Sequence, residues 1–495
     1  MGKRIVCACE DVSEQDLAEA VRHGFRDVES AKRYTGFGTG FCQGKSCLAG
    51  IAHWLEREGG QPREGLAPFT PRPPVAPTAF ASFAALDPEA LGPPGPGVPP
   101  REELPAAPVR PDGPFPERCR VAIVGGGIMG LALAYELAKR GQRDVVVLEA
   151  GYLCAGASGR NGGGVRMQWG TPTNIRLARR SLEICRGFAA ELGINVWLRQ
   201  GGYLFLAASP EVARRLERSA ELQRRHDVPT RLLTPDGARE IVPELDAAPF
   251  LLAAFNPKDA VVFPWPFLWG YAKGAAERGV RVETFTRAVG IEVERGRVRA
   301  VVTDRGRLAC DVLVNAAGAW SPKVASLAGV RLPNEPHRHE ILVSEPLKPF
   351  LGPLVSVLDD GLYFSQSMRG EIVGGMGDPK DPAGLESGAT LRFLARFSRA
   401  FLRTLPGLGA LQVIRQWAGC YDVTPDNSPI LGETPGVAGF LQMSGFVGHG
   451  FMMAPAVAEL MASWMAGGER DEIFDRFTLS RFAEGRLERE DFIIG

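Results

Sequence analysis

One segment, RVAIVGGGIMGLALAYELAKRGQRDVVVLEA from Arg120 to Ala150, limits the fold more than any other part of the chain. A run of β-branched residues enters a glycine-rich turn, an apolar helix follows, and a second apolar strand ends in an acidic residue. Gly125, Gly127 and Gly130 fit GxGxxG at the mouth of that helix, and Glu149 closes the next strand about twenty residues on. The first glycine makes the tight turn, the second lets backbone approach a pyrophosphate, and the third lets helix and strand pack closely. The helix N-terminus then faces the phosphates, and Glu149 accepts hydrogen bonds from a ribose. Ile128 and Met129 inside the fingerprint, and Ala150 after the acidic residue, complete this set of candidates. The expectation is an α/β domain, opening near residue 118, that binds a dinucleotide; an empty nucleotide fold is the alternative.

The 495 residues are 45% hydrophobic, enough for a large core and for more than one domain. Lys plus Arg and Asp plus Glu number 57 each, so no long-range field calls for a polyanionic partner and nucleic acid is not expected. Lys3 and Arg4 are followed by Cys7, Cys9, Glu10 and Asp11 where a signal peptide needs an apolar run. No apolar stretch of about 18 residues occurs either, so a cytoplasmic protein without membrane insertion is expected.

Residues 1–59 read as a small helical unit. Ser13 to Asp16 starts a helix that stops at Gly24, a second runs from Val28 to Arg33, and a third follows Cys47. Three short helices bury little, and such a unit needs a staple. Cys7-x-Cys9 and Cys42-x4-Cys47 supply four thiols, for a tetrahedral zinc or for the two irons of a [2Fe-2S] cluster. Cys119, Cys154, Cys185, Cys310 and Cys420 are scattered and read as packed apolar groups. Residues 60–117 are rich in Pro and Ala: a connector, about 45 Å long as a coil and well over 100 Å if extended, or a strap laid over the surface. From 118 to 495, strand-like and helical stretches alternate. A nucleotide domain, about 118–200, 311–335 and 425–470, carries a strand-rich insertion, about 201–310 and 336–424.

ASGRNGGGVRMQWG after the ribose strand, VLVNAAGAWS in mid-chain, and TPDNSPILGETPG with SGFVGHGFMMAP near the end stand in a telling order. Over about 118–465 the chain resembles the FAD-dependent amine and amino-acid oxidoreductases of the D-amino-acid oxidase and sarcosine oxidase group. The resemblance implies FAD in a Rossmann-type domain, with an antiparallel sheet in the substrate domain. It implies that Ser158, Gly159, Arg160 and Asn161 lie by the flavin and that Ala317 and Gly318 pass close to it. Gly445, Phe446, Gly448, His449 and Gly450 would bring N–H groups and a helix N-terminus to the pyrimidine end of the ring, where donors favour the reduced form.

The implied substrate is a small amino acid oxidised at its C–N bond, whose carboxylate calls for an arginine. Arg166 is the candidate, with Tyr421 and Tyr363 as substrate-contacting side chains; His449 serves the ring or is only a turn histidine. HRHE at 337 to 340 reads either as polar lining of the pocket or, as two histidines at i and i+2 on a strand more often are, as one solvated strand face. The chain departs from the sarcosine oxidases where Met452 replaces a lysine after GHG and where Gly419, beside Cys420, replaces a flavin-linking cysteine. No histidine follows GRN closely, so any FMN at a subunit interface would be noncovalent. Proline, hydroxyproline, sarcosine and opines remain as substrates.

CQGKSC and its C-x-C partner resemble the [2Fe-2S] module of the bacterioferritin-associated ferredoxins, which is also attached to subunits of amino-acid and opine dehydrogenases. This implies a cluster on Cys7, Cys9, Cys42 and Cys47, and a dehydrogenase that passes single electrons to a second subunit of a hetero-oligomer. A purely structural cluster is the alternative. A glycerol-3-phosphate dehydrogenase-like flavoprotein and a noncatalytic electron-transfer subunit are the rival readings.

Overall fold

The computed structural model describes residues 3–66, 68–69, 72–93, 111–490 and 492–493. Its eight-stranded sheet carries the dinucleotide fingerprint. Arg281–Glu283, Val145–Leu148, Arg118–Val124, Gly306–Asn315 and Val437–Ser444 run parallel, in that order. The helix Ile128–Lys139 is apolar on every side because helices Pro264–Glu277 and Gly450–Met465 cover what the sheet leaves open. Strands Ala288–Glu294 and Arg297–Thr303 add an antiparallel hairpin to this sheet. Residues 264–303 thus belong to the nucleotide sheet, whereas the sequence pattern assigned them to the insertion. Period-two alternation marks a half-buried strand and does not say which sheet it joins; the parallel pairing of Arg281–Glu283 on Val145–Leu148 decides it.

A nine-stranded sheet, antiparallel but for the pairing of Leu354–Val357 with Tyr203–Ala207, forms the second layer. Its two long strands, Glu335–Pro346 and Gln412–Val423, pair His337 with Tyr421 and His339 with Gly419. Helix Leu391–Thr404 covers its back with Phe393, Phe397 and Phe401.

The amino-terminal unit forms as the caps predict. Ser13 and Asp16 close a capping box on helix Glu14–Arg22, Asp27 caps Val28–Thr35, and Leu48–Arg57 follows Cys47. The described part of the following segment is a strap. Phe69 enters the small unit's core at Gly38 and Gly44, where a Cβ would strike its ring. Farther on, Thr78–Ala79 pairs with the strand Gln412–Val423, and Phe80 packs 4.8 Å from Phe401. The Pro-rich run LGPPGPGVPP lies for the most part outside the described residues. Among those residues, no helix is long and apolar enough to cross a membrane.

Candidate active site at the carboxyl ends of the parallel strands

The parallel strands end at a crevice where the chain's glycines meet. A Cβ on Gly125 would strike the Ala316 carbonyl, and one on Gly130 the Gly125 carbonyl. These contacts bring the backbone at the start of helix Ile128–Lys139 to the crevice. Glu149 accepts the amides of Gly126 and Gly151, both at 2.8 Å, and burial holds its carboxyl above the usual range. Ser158 Oγ accepts the Ile128 amide at 3.0 Å, and Asn161 closes its own loop through Ser158 O and the Gly163 amide. Ala317 follows the strand that ends at Asn315, whose amide bonds Gln442 and the Ser321 carbonyl. On the far side, Gly445 donates to Asp422, and Gly450 opens the helix Gly450–Met465 with His449 as its N-cap. Ala150 is exposed at the rim. The small residues and the backbone they bring to the crevice fit a dinucleotide laid across the strand ends.

Against this crevice lies a cavity of ≈ 90 Å³, walled by Arg160, Asn161 and Arg166 on one side and by His339, Tyr363 and Tyr421 on the other, with His449 and Met452 at its end. The structure therefore brings Arg166, Tyr363, Tyr421 and His449 together. Arg166 is fully buried and stacks 4.0 Å over Trp169. Its two terminal nitrogens bond the Gln168 and Phe492 carbonyls and His449 Nε2, while Nε has no partner. The fork expected to grip a carboxylate is thus engaged by neutral acceptors, and what Arg166 offers the cavity is its charge. His449 Nδ1 is 2.8 Å from the Val447 carbonyl, so Nε2 is left to accept from Arg166. Burial, then the Arg166 charge, hold His449 well below its ordinary range and neutral.

Of the two readings of HRHE, His339 takes the pocket lining and not the solvated face: it is buried in the cavity wall, stacked on both tyrosines. Period two told that His337 and His339 share a face; no local signal told that this face looks into the cavity.

The four amino-terminal cysteines are free, Cys7 and Cys47 buried and Cys9 and Cys42 half-buried, and lie near enough to shift one another's thiols. Among the described residues no group of three or more His, Cys, Asp or Glu is placed to hold a metal ion. Burial pushes Cys47 up to about 12. Burial acts upward on Cys42 as well, but the Ser46 and Gly44 amides, with Cys9, bring it below its ordinary value. Four thiols are a donor set of the kind a thiolate-bound cluster takes. The other five cysteines are buried, as expected of apolar filler.

A glycine fingerprint, a buried carboxylate at the end of the second strand, a crevice at the strand ends and a small cavity beside it define a FAD-binding oxidoreductase. The chain belongs to the FAD dependent oxidoreductase family, which matches residues 120–464, and residues 1–87 match the sarcosine oxidase A3 domain. The sarcosine oxidase subunit beta of Rhizobium meliloti (strain 1021) is 34% identical over 372 residues, 74% of this chain and 89% of that protein. Of solved structures, L-proline dehydrogenase from P. horikoshii aligns with a TM-score of 0.72 and 34% identity, over 76% of this chain and 100% of that one. Glycine oxidase from Geobacillus kaustophilus aligns with a TM-score of 0.68 and 26% identity, over 74% and 99%.

Proposed function

We propose that the protein is a dehydrogenase that oxidises the C–N bond of a small amino acid with a secondary amine, such as proline, hydroxyproline, sarcosine or an opine. The observation that carries this reading is a buried guanidinium, Arg166, bonded only to neutral acceptors in the wall of a small cavity beside the flavin crevice. A buried positive charge there, with Glu490 and Asp259 near but no carboxylate among the described residues in direct contact, attracts a carboxylate and disfavours an ammonium, so the amine enters neutral. Tyr363 and Tyr421 supply the hydroxyls that hold the nitrogen, and the apolar ends of Leu354, Phe451 and Met452 keep water out. FAD would supply the acceptor for the hydride leaving the carbon beside that nitrogen. The Gly445 to Gly450 turn, with its helix N-terminus, stabilises negative charge on the reduced ring. The relatives acting on sarcosine, proline and glycine support the amino-acid class.

Cys7, Cys9, Cys42 and Cys47 would hold the [2Fe-2S] cluster, which passes electrons singly. The unit that carries them packs on the flavin domain: Phe25 lies 4.2 Å from Trp269, and Arg33 bonds the Tyr152 hydroxyl at 2.6 Å and stacks on Trp265. Trp265 in turn fills the space that a Cβ on Gly159 would need. A cytoplasmic hetero-oligomer, with a second subunit as electron acceptor and room for noncovalent FMN at the interface, completes the reading.

Anaerobic mixing of the holoprotein with L-proline, sarcosine, an opine and glycerol 3-phosphate tests it. Bleaching of the flavin by a secondary amino acid, with growth of a reduced [2Fe-2S] paramagnetic signal, is the expected result. Bleaching by glycerol 3-phosphate alone overturns the substrate, and full metal content without that signal overturns the cluster.

A further inference from the structure

Behind Arg166, a buried carboxylate from near the end of the chain ties two stretches of backbone together. Glu490 is 1% exposed. Its Oε1 accepts the amides of Gly170 and Phe492, both at 2.9 Å, and its Oε2 accepts Thr171 Oγ1 at 3.1 Å and Asn174 Nδ2 at 2.9 Å. Thr171 is the N-cap of helix Pro172–Leu192, so the carboxylate also sits at that helix's N-terminus, where negative charge is favoured. A Cβ on Gly170 would come within 2.6 Å of Glu490 Oε1, and the glycine leaves that room.

The segment that carries Glu490 is itself anchored. Arg481 grips Asp426 with two nitrogens, at 2.8 and 2.9 Å, and neither side chain is exposed. Asp426 Oδ2 accepts the Glu488 amide at 3.1 Å, and its carbonyl accepts the Glu490 amide at 3.2 Å. Phe492 is buried beside Phe205, with ring centroids 6.2 Å apart, and its carbonyl accepts from Arg166. Arg166 lines the cavity, whereas Glu490 and Phe492 stand behind it.

We infer that Glu490 is a positioning residue: it fixes the Phe492 carbonyl and the 168–170 turn against Arg166, and so sets how the guanidinium meets a ligand's carboxylate. The inference rests on the amino-acid reading above. Of the three acceptors around Arg166, the Gln168 carbonyl lies two residues before Gly170 and the Phe492 carbonyl two residues after Glu490, so one carboxylate steadies both stretches. A guanidinium already held in one orientation loses little freedom when a ligand arrives. Without Glu490 that frame loosens, and the charge meets the carboxylate less well.

A double-mutant cycle on the anaerobic holoprotein tests this. The Kd of (S)-tetrahydrofuran-2-carboxylate, proline's ring with oxygen replacing N–H, is read from the flavin absorbance shift. The limiting rate of flavin reduction is read by rapid mixing with L-proline or whichever secondary amino acid reduces the protein. Glu490→Ala is expected to raise Kd about tenfold, with flavin content and limiting rate within about twofold of wild type. Phe492→Ala, which frees the same carbonyl from the ring's side, is expected to show the same split. Glu490→Gln keeps an oxygen for the Gly170 and Phe492 amides and is expected to bring Kd back to within about threefold. In an Arg166→Gln background, Glu490→Ala is expected to change Kd by less than about twofold, because its effect passes through the arginine. An unchanged Kd in Glu490→Ala, equal weakening with and without Arg166, or loss of flavin in both alanine variants overturns the inference. If Arg166→Gln alone leaves Kd unchanged, the carboxylate reading of the site falls and takes the inference with it. If no secondary amino acid bleaches the wild-type flavin, only the substrate reading falls, and the ether's Kd across the variants still decides the role of Glu490.

Discussion

Arg166 and Lys32 are buried cations that differ in what surrounds them. Arg166 lies among carbonyls and a neutral histidine beside the cavity. Arg166→Gln removes the charge and is expected to weaken a carboxylate ligand by about 10- to 100-fold in a flavin absorbance titration. Lys32 rests 4.1 Å over the Phe69 ring, and burial pulls it down to about 7. The unfolded chain keeps that proton up to about pH 10.4. Below pH 7 the folded state therefore carries the full cost, which fades as pH rises toward 10 because the unfolded state holds more protons throughout that window. Lys32→Met is expected to raise unfolding stability by up to about 4 kcal/mol at pH 6 and by little at pH 10, as denaturant titrations at the two pH values would record. The fingerprint glycines were legible from their spacing, although the clashes they avoid differ in reach: Gly130 faces the Gly125 carbonyl of the same turn, and Gly125 the Ala316 carbonyl from far along the chain. Gly130→Ala is expected to leave the purified protein with little flavin. Which of its two readings His339 takes was not legible, since its environment comes from strands and loops 24 and more residues away.

Among the elements, the cysteine unit shows what local rules reach. Its capping box, its two glycine stops and its three helices follow from residues within a few positions of each other. Its core does not, because Phe69 arrives from the segment read as connector and fills the space beneath the second cysteine pair. Phe69→Ala is expected to cost this unit about 3 kcal/mol or more, seen as faster amide exchange in residues 14–57 than in the flavin domain. The strands of residues 281–303 make the complementary point. Their existence was plain from alternation, and their sheet was decided by a parallel pairing that no short window contains.

At the scale of the whole molecule, the strap and an aromatic seam hold the cysteine unit on the flavin domain. Phe25 sits on Tyr34 and Trp269, and Arg33 on Tyr152 and Trp265. Phe25→Ser is expected to loosen the seam: flavin bleaching by substrate keeps its rate, while reduction of the cluster proposed on Cys7, Cys9, Cys42 and Cys47 slows severalfold in rapid-mixing traces. By itself the sequence determined the nucleotide fold, the cofactor class and the identity of most side chains at the site. Those properties rest on steric and hydrogen-bonding demands spelled out by neighbouring residues. Only the tertiary structure decided that Arg166 offers charge in place of a fork, that His339 faces the cavity, and that the described part of the proline-rich segment is a strap. Each of these depends on a partner brought from far along the chain, such as the Phe492 carbonyl, the Tyr363 hydroxyl or the edge of the strand Gln412–Val423. Burial and partner choice are properties of the packed interior, where alternation and local spacing say nothing about who arrives from the other side.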